Sequence, residues 1–182
     1  YLNEDTDWLN ARALADRTAL SVRLASEAAR FDAVAGLAFD TRRKLDILQR
    51  MIVLPAPSQP GVAVELGTIA TRLKSTYGQG RGTLAGEPKP GVELEALMGT
   101  ERDPERLKEM WRSWHAVGAP MRQDYARLVE IANEGARELG FSDLGAMWRS
   151  NYDMEPGEFA LLTDALWGEV KPLYDQLHCY TR

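Results

Sequence analysis

The sequence predicts an all-α fold, and three observations carry that prediction. Apolar residues recur at intervals of three, four and seven over long stretches, which is the spacing of one helix face. Clusters of Pro and Gly divide these stretches at points where a helix cannot continue. No segment alternates apolar and polar residues with period two for long enough to make a strand.

The first predicted helix covers residues 6–35. Thr6 suits its N-cap and Asp7 its first turn, and Leu9, Ala13, Leu20, Leu24, Ala28 and Phe31 make its apolar stripe, with Arg12, Arg17, Arg23 and Glu27 on the remaining surface. A second helix starts near Asp40, carries Leu45, Leu48 and Ile52, and stops at LPAPSQPG. From Val62 the spacing of Leu66, Ile69, Leu73 and Tyr77 predicts a third, followed by GQGRGTLAGEPKPG, which reads as a mobile loop.

Asp103 and Pro104 form an N-cap and N1 pair that opens a helix through Leu107, Met110, Trp111 and Trp114, ending or bending near Gly118 and Pro120. The next runs from about Met121 to Leu139, with Tyr125, Leu128, Ile131 and Ala132 inward and Gly140 at the left-handed position beyond it. Ser142 is placed to cap a short helix carrying Leu144, Met147 and Trp148. Pro156 opens the last helix, whose Phe159, Leu162, Leu166, Val170, Leu173, Leu177 and Tyr180 step by three and four, with a bend expected at Pro172. Its stripe reaches Tyr180 without a Gly or Pro stop, so CYTR reads as mid-helix and the sequence as a piece of a longer protein.

Composition narrows the function classes. Hydrophobic residues at 45% and charged residues at 27% are globular values. A net charge of -5 argues against a phosphate-backbone binder, so nucleic acid is not an expected partner. There is no run of 18 apolar residues to cross a membrane, and the opening YLNEDTDW has neither the basic nor the apolar region of a signal peptide. A single cysteine, Cys179, excludes an internal disulfide. Two histidines, His115 and His178, cannot form the i, i+4 pair of a helical zinc site.

Few residues point to chemistry. Cys179 follows His178, but neighbours on a helix do not face each other, so the thiol reads as a small half-buried group. GQGRG lacks the Lys-Ser/Thr ending of a phosphate loop and follows a helix. The carboxylates are spread over solvated faces. MWRS occurs at Met110–Ser113 and at Met147–Ser150, yet the flanks WHAVGAP and NYDMEPG share nothing, so these are not structural repeats. The first copy places Trp111, Trp114 and His115 within about one turn, where two indoles make core or interface. The second puts Arg149 beside Trp148 and near Tyr152, positioned to stack or to hold a carboxylate.

The stretch WRSWHAVGAPMRQDYARLVEIANEGARELGFSDLGAMWRSNYD, with LWGEVKPLYDQLHCYTR after it, resembles the bacterial branch of the angiotensin-converting-enzyme-like zinc dipeptidyl carboxypeptidases. YLNEDTDWL, AARFD, TRRKLDILQRMIVLPAP and RLKSTYG resemble the same family in the same order, so the likeness covers almost the whole chain and only the N-terminal part of the family. It implies a mostly helical body split by a deep channel, with residues 1–77 as lid helices, 78–92 as a flexible loop and 93–182 as helical channel wall. The zinc ligands, an H-E-x-x-H pair and a downstream glutamate, would lie in sequence not present here. The parent would then release dipeptides from oligopeptide C-termini with zinc, while this stretch would hold no zinc and be inactive alone.

By the same resemblance the expected partners are the peptide substrate and the C-terminal half of the same protein, with self-association where that half is lacking, and the expected location is periplasmic or secreted. In W-x-x-W-R of chloride-dependent animal members the arginine helps bind an anion. His115 stands there after Trp111 and Trp114, which removes a permanent charge and argues against chloride activation. Lys74 occupies the place of a carboxylate that some relatives present to substrate, and the loop at 78–92 lacks the cysteines of the animal disulfide. Two other readings are a stand-alone helical protein- or peptide-binding module and a related helical zinc peptidase of the oligoendopeptidase kind.

Overall fold

The computed structural model describes residues 4–181; Tyr1 to Asn3, which open the YLNEDTDWL string, and Arg182, which closes CYTR, lie outside them. The chain runs α1 (Glu4–Ala29), α2 (Phe39–Arg50), α3 (Val62–Gln79), β1 (Arg81–Leu84), β2 (Glu87–Pro90), α4 (Gly91–Thr100), α5 (Pro104–Gly118), a 3-10 turn at Ala119–Met121, α6 (Arg122–Glu138), α7 (Leu144–Arg149) and α8 (Pro156–Thr181). Among the described residues the fold is all-α apart from one antiparallel hairpin of β1 and β2.

α3 is central. Val62, Leu66, Ile69 and Leu73 are buried with Met121, Leu128 and Ile131 from the α6 side. Two bidentate ion pairs clamp the same helices: Arg72 donates to both oxygens of Asp124 at 2.6 and 2.5 Å, and Arg127 to both of Glu65 at 2.7 and 3.1 Å. On its other side α3 meets α1 at closest approach, where a Cβ on Gly67 would lie 2.4 Å from the Ala11 carbonyl oxygen. Asn10 donates to Thr71 at 2.8 Å across this seam.

That contact decides how α1 sits. Only small side chains fit beside Gly67, where Ala11 and Ala15 lie; among the described residues of α1, Thr18, Ala25 and Ala28 are also buried, Ala25 against Ile52, Ala136 and Met147. The larger stripe of Leu9, Leu20 and Leu24, continued by Phe31 beyond the helix, is exposed instead. Period alone marks an apolar face but not which of two apolar faces packs. α1 also begins two residues before Thr6, and turns rather than helix follow Ala29.

The Pro-rich segment between α2 and α3 is buried rather than looped into solvent. Pro55, Ala56 and Pro57 lie against α6, and a Cβ on Gly135 would sit 2.5 Å from the Pro55 carbonyl oxygen. Proline brings no N–H, so burying it leaves one fewer donor to satisfy. Ser58 N–H then finds the Glu138 carboxylate at 2.7 Å, and the Trp148 indole N–H reaches the Val53 carbonyl at 2.8 Å.

Several predicted details change. Tyr125 faces solvent, although Leu128, Ile131 and Ala132 are buried as expected. The cap of α7 is Asp143, which accepts from Ala146 N–H at 2.7 Å and whose carboxyl is held below its ordinary range mainly by that bond; Ser142 only donates to Asp143. Asp103 caps α5 as predicted, accepting from Glu105 N–H. α8 is helical through Pro172, packs beside α7, and has no buried residue, so its apolar stripe and Cys179 are exposed.

The two kinds of glycine on α3 make a direct comparison. Gly67→Ala should destabilise the fold by about 1 to 3 kcal/mol, the usual range for overpacking, because backbone rather than a mobile side chain blocks the new methyl. Gly78→Ala meets open space in the same helix and should be neutral or stabilising by up to about 1 kcal/mol. Urea unfolding of both variants checks this, and equal effects would contradict the close-approach account.

Candidate functional site

The site grows from the segment expected to be a mobile loop. Thr83 and Leu84 pair with Pro88 and Glu87 around a two-residue turn. Ala85 and Gly86 both have positive φ, 53° and 79°, which is the turn that matches the right-handed twist of paired strands. In such a hairpin the pair flanking the turn exchanges hydrogen bonds, so Pro88 and Pro90 fall at pairs that exchange none. The prolines therefore remove no ladder bond and leave the outer edge of β2 without those two donors.

The outer edge of β1 is closed by α5. Ser113 Oγ accepts from Thr83 N–H at 2.7 Å, and Glu109, one turn earlier, accepts from Ala85 and Gly86 N–H at 3.0 and 3.2 Å. These backbone donors, Ala85 first, hold the Glu109 carboxyl below its ordinary range. Beneath the hairpin Leu84, Leu94 and Met110 form a small core with Trp114 against it.

Trp114 is the anchor of the site. Gly91 lies close against the rim of its indole, since a Cβ there would be 2.5 Å from Cη2. Tyr77 meets the ring edge-on with centroids 5.3 Å apart at 69°. Beside them opens a cleft of about 920 Å³ walled by Tyr77, Pro90, Val92, Met98 and Trp114, with Arg81 and Glu95 also lining it. An aromatic wall with two opposite charges suits an extended, partly apolar ligand in shape and charge; neither Arg nor an exposed carboxylate alone supplies a nucleophile or an acid–base pair.

The predicted trio divides. Trp114 lines the cleft, whereas Trp111 is exposed and stacks on His115 with centroids 3.9 Å apart at 27°. His115 Nδ1 lies 2.7 Å from the Trp111 carbonyl oxygen, which can only accept, so Nδ1 carries the proton. That N–H is spent on the residue's own helix. Lys74 is exposed on α3, one turn before Tyr77. Arg149 sits close to Gly145, and its charge helps hold the Asp143 carboxyl down; its Nε is buried without a partner. His178 stacks on Tyr174 in α8. Sequence reasoning missed Tyr77 and Gly91 as site residues, and Glu109 and Ser113 as the hairpin's tether. The i, i+4 spacing of the last two on one helix face was the available signal.

Comparison with known proteins gives these features a family. The family model for angiotensin-converting enzyme, peptidase family M2, matches residues 1–182. An angiotensin-converting enzyme-like protein of Mus musculus is 30% identical over 171 residues, covering 92% of this chain and 23% of that protein. An inactive angiotensin-converting enzyme-related protein of Caenorhabditis elegans is 34% identical over 97 residues, covering 50% of this chain and 11% of its own length. The angiotensin-converting enzyme of Mesocricetus auratus is 38% identical over 91 residues, covering 50% and 7% respectively. The chain thus spans less than a quarter of the length of each of these relatives.

The tether predicts a pH response. Glu109 has a lowered carboxyl pKa when folded, so its contribution is present above the ordinary carboxylate pKa and is lost as pH falls through the lowered value. Amide hydrogen exchange at Ala85 and Gly86 should accelerate in Glu109→Gln relative to wild type at neutral pH, and the gap should close in acid. Equal protection at neutral pH would show that the carboxylate does not hold the turn.

Proposed function

The chain belongs to the angiotensin-converting enzyme family of peptidases, and from that membership we propose that it is the lid and channel-wall region of a longer zinc peptidyl-dipeptidase, which releases dipeptides from oligopeptide C-termini. The observation that carries this reading is the family match along the whole of residues 1–182. In this reading α1 to α3 are lid, and the Trp114 cleft is a length of channel wall that receives apolar side chains of an extended peptide. The same reading puts the parent in the periplasm or outside the cell.

A catalytic zinc needs three protein ligands around one point, and among the described residues no group of three His, Cys, Asp or Glu side chains converges. His115 is on α5 and His178 on α8. These residues do not fit the ion, so no bond-breaking step is assigned to them. Their part is to bind the peptide, orient it and exclude water from the channel.

Uncovered apolar surface supports the longer parent. Leu161, Leu166, Trp167, Leu173 and Leu177 of α8 are each about half exposed or more, and covering a side chain of this kind contributes roughly 1.5 to 3 kcal/mol. Alone, the chain should self-associate and bind a hydrophobic dye; sedimentation showing a strict monomer that binds none would contradict this.

Activity needs measurement, because the Caenorhabditis elegans relative is an inactive one. The parent, assayed on a blocked tripeptide, should release a dipeptide, and a chelator should stop it. The 182-residue chain should release nothing. Cleavage by this chain alone, or none by an intact parent supplied with zinc, would overturn the proposal.

A further inference from the structure

The residues lining the Trp114 cleft come from two bodies. Tyr77 and Trp114 belong to α3 and α5, whereas Pro90, Val92 and Met98 belong to the end of β2 and to α4. The shape of the cleft therefore depends on how the hairpin and α4 are joined to α5. β2 pairs with β1, so the join is made by β1 and by the core beneath it.

That join has an apolar part and a polar part. The apolar part is the cluster of Leu84, Leu94 and Met110. Apolar contact is non-directional; it holds the hairpin down on α5 and tolerates a slide along it. The polar part fixes the position, because a hydrogen bond weakens steeply as it bends. Ser113 Oγ accepts from Thr83 N–H at 2.7 Å and donates back toward the Thr83 carbonyl at 3.3 Å, so one hydroxyl meets both backbone groups of one residue. Four residues earlier, each oxygen of Glu109 takes one N–H of the turn. Gly82, the last glycine of GQGRG, brings the strand this close: a Cβ there would lie 2.5 Å from Leu94 Cδ1, 2.9 Å from Ser113 Oγ and 3.1 Å from the Trp114 backbone nitrogen. The strand is thus located along α5 by residues that end one position before Trp114 itself.

We propose that Glu109 and Ser113 are positioning residues for ligand binding in the Trp114 cleft: by pinning β1 to the helix that carries Trp114, they set the girth of side chain the cleft accepts. The inference rests on the reading of this cleft as a wall that receives apolar side chains of a peptide. Neither residue lines the cleft, so each acts through the hairpin. A wall held in one place separates side chains by fit, whereas a wall free to slide adapts to each and must be ordered afresh for all of them.

The test is a titration of the isotope-labelled chain with two peptides, acetyl-Ala-Leu-Ala amide and acetyl-Ala-Trp-Ala amide, following the Trp114 indole N–H by NMR. The wild type should bind them with dissociation constants at least about fivefold apart. Ser113→Ala and Glu109→Gln should each weaken the tighter peptide by at least about threefold and bring the two constants closer together. Asp143→Ala strips the cap of α7, an element that lines no part of the cleft, and should leave both constants and their ratio unchanged. A ratio that both tether variants leave as it was, or that Asp143→Ala alters equally, overturns the inference, as does equal binding of the two peptides by the wild type. No saturable shift with either peptide overturns the reading of the cleft itself, and this inference with it. Should one tether variant lose its helical circular dichroism, the other decides.

Discussion

The arrangement depends on two places where backbone touches backbone. Gly67 lets α3 press against the Ala11 carbonyl of α1, and Gly135 lets α6 press against the Pro55 carbonyl of the buried Pro segment. A methyl at either position would lie closer to a carbonyl oxygen than real side chains do, so neither approach survives a larger residue. Given these two contacts, α3 is held between α1 and α6, and the ion pairs Arg72–Asp124 and Arg127–Glu65 fix its rotation against α6. The placement of α3 then positions Tyr77, near its C-terminus, against Trp114.

Much of this was legible in the sequence, where local chemistry and period agree. The Asp103–Pro104 start of α5 and the Val62 start of α3 fall where predicted because each depends only on neighbouring residues. The hairpin was not legible. Its strands are four residues each, too short for an alternation to register, and two of those in β2 are proline. α4 went unread for a similar reason: its ten residues GVELEALMGT follow directly on that Pro-Gly punctuation. The prolines are tolerated only because of their register opposite Arg81 and Thr83, and register is a property of pairing rather than of composition. Within the site, Trp114 was legible as a large residue at an interface, but Gly91 was not, since its role is to leave room for an indole.

The separation of Trp111 from Trp114 has the same origin. Residues three apart on a helix are neighbours, yet they point along rows that diverge by about a sixth of a turn. That is enough here for Trp114 to turn toward Tyr77 and Gly91 while Trp111 stays in solvent with His115. The result is one half-buried aromatic that shapes a cleft and one exposed aromatic whose partner is its own helix. His115 spends its Nδ1 donor on the Trp111 carbonyl, so it is occupied with holding a ring stack.

An apolar period reports that a face is to be covered, and leaves open what covers it. α1 makes the distinction concrete, because it has two such faces of different size. The small face packs: Ala11 and Ala15 are matched by Gly67, and Ala25 lies against Ile52, Ala136 and Met147. The large face of Leu9, Leu20 and Leu24 has no counterpart within this stretch that would reach it without displacing the small one. α8 extends the argument: Leu161, Trp167, Val170 and Leu173 put apolar groups on several sides of one helix, a pattern that belongs to a helix enclosed by others rather than to one lying on a surface. Tight packing at α3 and open apolar surface at α1 and α8 therefore go together: along α1 the small residues make the internal contacts, while the large residues of α1 and α8 stay uncovered.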